Sequence, residues 1–81
     1  MNHTPYTLNM LKPGQKAIVI KITLQGALKR RLIDMGITPG TSLTLRKMAP
    51  LGDPIEIKIR GYALTLRKDD AIHIEVEEIL I

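Results

Sequence analysis

Cysteine, phenylalanine and tryptophan do not occur in this sequence of 81 residues, and Tyr6 and Tyr62 are its two tyrosines. The absence of cysteine excludes disulfides, thiolate metal sites and cysteine nucleophiles. The shortage of aromatic rings weighs against single-stranded nucleic acid, whose bases stack on such rings, and against an aromatic-lined groove for proline-rich peptides. Because aliphatic residues supply nearly all of the apolar content, we expect one small, β-rich core.

Long apolar runs are also missing. The longest lie at residues 17–20 and 79–81, far below the ~20 residues that a membrane-spanning helix needs. The first residues do not show the charged segment followed by an apolar one that is typical of a secretory signal. We therefore expect a cytoplasmic protein that does not insert into a membrane.

The charge of the chain is moderately basic. Twelve Lys and Arg residues against eight Asp and Glu residues give a formal net charge of +4. Basic residues run from Lys12 to Lys68, whereas most acidic residues collect between Asp69 and Glu78. Two interpretations stay open: a solvated surface of mixed sign, or a basic face for an acidic protein, nucleic acid or anionic lipid.

Hydrophobic periodicity predicts several short strands. Every second residue from Ile18 to Leu24 is aliphatic, which predicts a half-buried strand with these side chains on one face. Further strands are predicted at residues 42–47, 55–60, 62–67 and 71–77. The side chains expected to point inward from them are Leu43, Leu45, Ile55, Ile57, Ile59, Leu64, Leu66, Ile72, Ile74 and Val76. Gly61 predicts a bulge or sharp bend between two strands, and residues 68–70 predict the last turn.

One segment has the period of a helix instead. Leu28, Leu32 and Met35 recur at helical spacing within residues 25–35, which predicts a short amphipathic helix. Gly36 is expected to end it, with Ile37 over Leu32 in a Schellman cap. About five strands with one short helix after the first predict a mainly-β, partly open small barrel. We expect residues 1–7 to be a flexible N-terminus and residues 8–81 to form this single domain.

The connection at residues 48–54 has an unusual composition. Its two prolines lack N–H donors and cannot continue a strand ladder, so the chain must turn here. The turn carries Met48, Pro50 and Leu51, whereas most turns are polar. An apolar loop that buries no strand predicts a docking surface for another protein. The basic side chains Arg30, Arg46 and Lys47 are candidates for steering it onto an acidic partner.

Catalytic and metal-binding patterns are not found. His3 lies in the N-terminal segment, and His73 is expected to be exposed on the face opposite two isoleucines, so no convergent metal ligands are predicted. Asp53 is best explained by a hydrogen bond to the backbone of its own turn. The glycines are dispersed and form no phosphate-binding loop. We expect no enzyme, no catalytic residue, no cofactor and no metal site.

Four motifs together resemble the FeoA family, ferrous iron transport protein A. They are LxxLxxG at residues 8–14, RLxxMGIxPG at 31–40, APLGDPI at 49–55 and RGYxLxLR at 60–67. The resemblance implies an SH3-like β-barrel with an inserted helix. It also implies a cytoplasmic partner of FeoB, a membrane Fe(II) transporter with a GTP-hydrolysing domain.

The resulting hypothesis is a non-enzymatic accessory protein of bacterial Fe(II) uptake. It would dock on the cytoplasmic GTPase domain of FeoB through Met48, Pro50 and Leu51 and modulate the transporter's activity or assembly. Two alternatives stay open: a self-associating, metal-responsive regulatory module whose loop meets a second copy, and a small basic barrel that binds nucleic acid through residues 29–31. Nucleic acid is the less favoured partner because aromatic platforms are scarce.

Overall fold

A computed structural model describes residues 6–79 of the chain. After a 3₁₀ turn at Leu8–Met10, its elements are β1 (Lys16–Ile22), α1 (Gly26–Asp34), β2 (Ser42–Met48), β3 (Ile55–Ile59), β4 (Tyr62–Leu66), α2 (Lys68–Ala71) and β5 (Ile74–Ile79). The prediction of a flexible segment at residues 1–7 falls mostly on residues 1–5, which lie outside the described residues.

The five strands form one antiparallel sheet in the order β4-β3-β2-β1-β5. β1 therefore pairs with both β2 and β5, although they are far apart in sequence. The outer edge of β5 is covered, because Val76 donates its N–H to the Tyr6 carbonyl at 2.8 Å and Thr7 forms a bridge with Glu75. This arrangement, with α1 inserted after β1, confirms the predicted mainly-β class.

The core is aliphatic throughout the described residues. Its buried members are Leu8, Leu11, Ala17, Val19, Ile22, Leu32, Ile37, Leu43, Leu45, Ile55, Ile57, Ile59, Leu66, Ala71, Ile74 and Val76. The predicted inward sets of β2 and β3 are all among them, because alternation holds from Leu43 to Leu45 and from Ile55 to Ile59. Neither helix within residues 6–79 is long and apolar enough to cross a membrane.

The prediction of one inward face for residues 18–24 is wrong. Val19 is fully buried while Ile20 is 46% exposed. The register with β5 shifts between Val19 and Lys21, so an extra residue is accommodated there and Ile22 returns to the core. Such a bulge breaks the two-residue alternation, and therefore both a valine and an isoleucine of opposite parity point inward.

The helix and its cap confirm the prediction for residues 25–36 with one exception. Gly36 has φ +98°, and its N–H bonds to the Ile33 carbonyl at 2.9 Å. The Ile37 N–H bonds to the Leu32 carbonyl at 3.0 Å, which completes a Schellman cap. Leu32 is fully buried, but Leu28, one turn earlier, is 51% exposed and does not belong to the core cluster.

A two-residue turn joins β3 to β4, where we predicted a bulge or bend. Ile59 pairs with Tyr62, so the loop consists of Arg60 and Gly61, with φ +49° and +89°. Positive φ at both positions is the type I′ geometry that suits the twist of a hairpin. The prediction was wrong because Arg60 was assigned to the strand, and non-glycine residues adopt positive φ only rarely.

The last predicted strand starts too early. Residues 68–71 form α2, and β5 begins at Ile74. Ala71 is buried at the end of α2, whereas Ile72, predicted to point inward, is 42% exposed. The short helix changes the period of the chain just before β5, so alternation from Ile74 and Val76 cannot be extended back to Ile72.

Candidate docking surface

The 48–54 loop (residues 48–54, between the body of β2 and β3) is closed by its own backbone. Ala49 donates its N–H to the Pro54 carbonyl at 2.9 Å, and Gly52 donates to the Ala49 carbonyl at 2.7 Å. The second bond closes a four-residue turn around Pro50 and Leu51. Loop shape is therefore set by main-chain groups, and the side chains of Pro50 and Leu51 are not needed to hold it.

Leu51 is the most exposed large apolar side chain in the described part of the molecule. It is 92% exposed, compared with 51% for Leu28 and 47% for Met10, the next two. Pro50 beside it is also exposed. Met48 behaves differently, because it is half-buried and packs against the core. The loop therefore presents Pro50 and Leu51, with Met48 as their support.

Asp53 anchors the loop to the neighbouring helix. Its Oδ1 accepts a hydrogen bond of 2.9 Å from the backbone N–H of Lys68, the first residue of α2. We expected Asp53 to bond within its own turn, so its partner was not predicted. A carboxylate that accepts from a first-turn N–H satisfies a donor that the helix itself leaves free. This contact gives Asp53 a structural role and fixes one side of the loop.

An open groove of about 340 Å³ lies beside the loop. Its walls are Lys47, Met48, Ala49, Pro54, Ile55, Glu56 and Thr65. Most of the exposed surface of the groove is apolar, and Lys47 and Glu56 supply its charged groups. A partner protein can therefore bury Leu51 in a pocket of its own and place an apolar side chain in the groove.

Charge beside the loop is positive after local pairing. Arg46 Nη1 lies 3.3 Å from Glu56 Oε2, and Lys47 Nζ lies 3.8 Å from Glu56 Oε1. The two cations therefore share one carboxylate, and one positive charge is left. The side chains of Arg46 and Lys47 are 53% and 72% exposed, which leaves their charges accessible to solvent and to a partner.

Arg30 does not line the groove beside the 48–54 loop. It is exposed on α1, whose C-terminal end lies beside the β3–β4 turn, where the Tyr62 hydroxyl donates to the Met35 carbonyl at 2.7 Å. The same helix also contacts α2, because Arg31 Nη2 lies 2.9 Å from Asp70 Oδ2, and α2 is bonded to the loop through Asp53. The role of Arg30 in docking stays a prediction.

Five groove residues were not among the predicted contact residues, and Glu56 and Thr65 are the two polar ones. Glu56 and Thr65 face each other across the β3–β4 pair and line the groove. Strand alternation alone places both on the outer face, which was an available signal. Their position next to Met48 depends on a register shift between Leu45 and Lys47, which the sequence does not display.

Groups that hold metals do not converge within residues 6–79, where no cluster of three His, Cys, Asp or Glu side chains occurs. His73 is half-buried, with Nδ1 at 3.3 Å from the Thr23 hydroxyl. It therefore has a local polar neighbour, and its exposure is smaller than predicted. His3 lies outside the described residues.

Comparison with protein families identifies the chain. The FeoA domain model matches residues 6–78, which is nearly the whole described structure. The chain belongs to the FeoA family. The four motifs that resemble this family all lie within the matched residues.

Two relatives are more than 30% identical to this FeoA domain. A Porphyromonas gingivalis Fe(2+) transport protein A/Fe(2+) transporter FeoB fusion protein is 36% identical over 86% of the chain, which spans only 8% of that protein. A putative Fe(2+) transport protein A of Campylobacter jejuni is 34% identical over 86% of the chain and 95% of its own length.

Solved structures agree with the fold. A FeoA-like protein from Clostridium acetobutylicum superimposes with a TM-score of 0.86 at 39% identity, over 99% of this chain and 93% of the other. The FeoA of Stenotrophomonas maltophilia, characterised as an SH3 domain protein, gives a TM-score of 0.78 at 24% identity, over 89% of both chains. The predicted SH3-like barrel with one inserted helix is confirmed.

Proposed function

We propose that this FeoA domain is a non-enzymatic, cytoplasmic accessory protein of Fe(II) uptake, which docks on the GTPase domain of a FeoB-type transporter through the 48–54 loop. Family membership supports the link to iron transport. The Porphyromonas gingivalis relative joins a transport protein A to FeoB in a single polypeptide, an arrangement that keeps two cooperating domains at high effective concentration.

Leu51 is the observation that carries the proposal. A leucine that is 92% exposed on a loop with an internally bonded backbone stabilises nothing within the described fold. Burying such a side chain in a partner contributes about 1.5–3 kcal/mol. Since the loop is already shaped by its hydrogen bonds, little conformational entropy is lost when it docks.

The positive charge of Arg46 and Lys47 complements this apolar contact. Exposed charges at the rim of an interface act mainly on the rate of encounter and on the choice of partner. We therefore infer that the partner surface has a recess for Leu51 and carboxylates around that recess. Docking of this kind is expected to weaken as the salt concentration rises.

Binding of the purified chain to the isolated cytosolic GTPase domain of FeoB tests the proposal. Calorimetry should show that Leu51→Asp weakens binding by at least about tenfold, the range of a hot-spot residue. Leu28→Asp is the matched control, since Leu28 is an exposed leucine on α1, and it should bind like the parent protein. Circular dichroism confirms that both variants keep their fold.

Equal affinity of the parent protein and Leu51→Asp would overturn the loop assignment. Sedimentation at several concentrations tests the alternative in which the chain self-associates through the loop. A stable oligomer that forms without the GTPase domain and dissociates in Leu51→Asp would show that the loop meets a second copy of the chain instead.

A further inference from the structure

A second surface lies at the opposite side of the sheet from β5. The sheet has two outer strands, and the edge of β5 is covered by Tyr6 and Thr7. β4 pairs with β3 on one side, and among residues 6–79 no strand pairs with its other side. The outer edge of β4 is therefore an open row of main-chain donors and acceptors.

The hairpin register identifies the groups on that edge. Ile59 and Tyr62 flank the two-residue turn, so they exchange both of their main-chain hydrogen bonds. Every second residue of β4 bonds to β3 in the same way, which turns the N–H and C=O groups of Ala63 and Thr65 outward. Both residues are exposed. Two donors and two acceptors thus face solvent at the regular spacing of a strand.

This edge lacks the proline, the lysine and the bulge that often protect an outer strand. Proteins blunt such edges with proline, with lysine, or with bulges that disrupt the row. β4 reads Tyr-Ala-Leu-Thr-Leu and contains no charge and no proline. Its pairing with β3 runs through five residue pairs without a shift, whereas the β1–β5 and β2–β3 ladders both shift register. A straight, uncharged edge is suited to accept another strand.

The surroundings of the edge favour an acidic occupant. Lys58 stands opposite Ala63 on the outer face, and Arg60 lies in the adjoining turn. Both also line a groove of about 580 Å³ that extends from β3 towards Lys16 of β1, with no carboxylate and no β4 residue in its walls. At the other end, Arg67 directly follows β4. Two carboxylates lie near this end. Asp53 shares a groove with Thr65 and Arg67 and accepts a hydrogen bond from the Lys68 N–H, and Glu56 opposite Thr65 is paired with two cations.

We propose that β4 accepts an extended segment of an acidic protein as a sixth strand of the sheet. The segment alternates carboxylate and apolar side chains. Its carboxylates lie on the outer face, where the small side chain of Ala63 leaves room for an ion pair with Lys58, two strand spacings of ~5 Å away. Its apolar side chains lie on the inner face beside Leu64, which is only half-buried. A second copy of the chain is a poorer fit, since it would bring the same positive charges together.

A synthetic peptide provides the probe. We use Glu-Val-Glu-Val-Glu-Val-Glu with blocked ends, and the matched Lys-Val-Lys-Val-Lys-Val-Lys as control, with the ¹⁵N-labelled chain. In the free protein the amides of Ala63 and Thr65 should exchange faster than those of Tyr62 and Leu64. The acidic peptide should slow exchange at Ala63 and Thr65 by at least about tenfold, because their N–H groups gain partners. The basic peptide should leave both unchanged.

Variants of β4 and its flank make the test specific. Thr65→Pro removes one outward donor and should weaken the acidic peptide about tenfold, while Thr65→Ser keeps that donor and should bind normally. Lys58→Glu should also weaken binding, and Lys29→Glu on α1 should not. If Thr65→Pro does not fold, the comparison of Lys58→Glu with Lys29→Glu and the amide exchange of the parent protein test the proposal.

Three results would overturn the proposal. They are similar protection by the basic peptide, peptide-induced changes that avoid Ala63 and Thr65, and protection of these amides by dimerisation of the chain without peptide. This site meets the groove beside the 48–54 loop at Thr65. Leu51 does not belong to the β4 edge, so Leu51→Asp should bind the acidic peptide like the parent protein. Failure of one surface therefore leaves the test of the other intact.

Discussion

The two ends of the β2–β3–β4 ribbon are built from similar turn residues and yet differ in what they leave exposed. At the capped end, where α1 finishes beside the β3–β4 turn, Gly36 has φ +98° and Tyr62 covers it. At the loop end, Gly52 has φ +78° and no atom lies within 4 Å of the position that a Cβ would take. The capped end is closed by side-chain packing. The loop end is closed by main-chain bonds and by the Asp53 side chain, so the side chains of Pro50 and Leu51 stay free for a partner.

The largest expected difference between the ends is in stability. Leu32→Ala at the capped end removes a fully buried side chain, and should lower the free energy of unfolding by about 3 kcal/mol through lost burial and a residual cavity. Leu51→Ala at the loop end should change it by less than about 0.5 kcal/mol, since Leu51 contacts little within the fold. Urea denaturation of both variants measures the difference.

The stabilities of Leu32→Ala and Leu51→Ala can also contradict this contrast between the two ends. If Leu51→Ala destabilises the protein by more than about 1 kcal/mol, the loop leucine supports the fold and is not reserved for a partner. The slope of the denaturation curve should stay constant, which shows that the unfolded states are comparable.

A smaller difference is expected between the two glycines. Gly36→Ala places a Cβ against the Tyr62 hydroxyl in a backbone conformation that alanine tolerates poorly, and should cost about 2 kcal/mol. Gly52→Ala has the strained conformation without the close contact and should cost about 1 kcal/mol. Thermal unfolding of both variants gives the comparison, with ~4–8 °C expected for each kcal/mol in a domain of this size.

A double-mutant cycle isolates the role of the tyrosine. Tyr62→Phe removes the hydroxyl that contacts both Gly36 and the Met35 carbonyl. In that background Gly36→Ala should cost only about 1 kcal/mol, the same as Gly52→Ala. If the effects of Tyr62→Phe and Gly36→Ala are additive, the Tyr62 hydroxyl is not the reason why position 36 requires glycine.

Much of this comparison could be predicted from sequence because the turn chemistry is local. Gly36 with Ile37 indicates a helix cap, and the prolines of the 48–54 loop exclude a continuous strand. Alternation located β2 and β3 and their buried faces. The exposed leucine could be inferred from its place in a turn, and the structure shows that its side chain is almost entirely free.

The structural features that the sequence did not predict depend on contacts between residues that are distant in the chain. The bulge after Val19 and the register shift after Leu45 arise from pairing with partner strands, and neither changes the local composition. The covering of Gly36 by Tyr62 joins residues on α1 and β4 that alternation and turn signals treat separately.

The most direct measurement of the central claim is an NMR titration of the ¹⁵N-labelled chain with the cytosolic GTPase domain of FeoB. The account predicts that the largest shifts and broadening fall on residues 48–54 and on Arg46 and Lys47, while Gly36 and the amides of α1 change little. Perturbations centred on α1 and the capped end, with the loop unaffected, would contradict it.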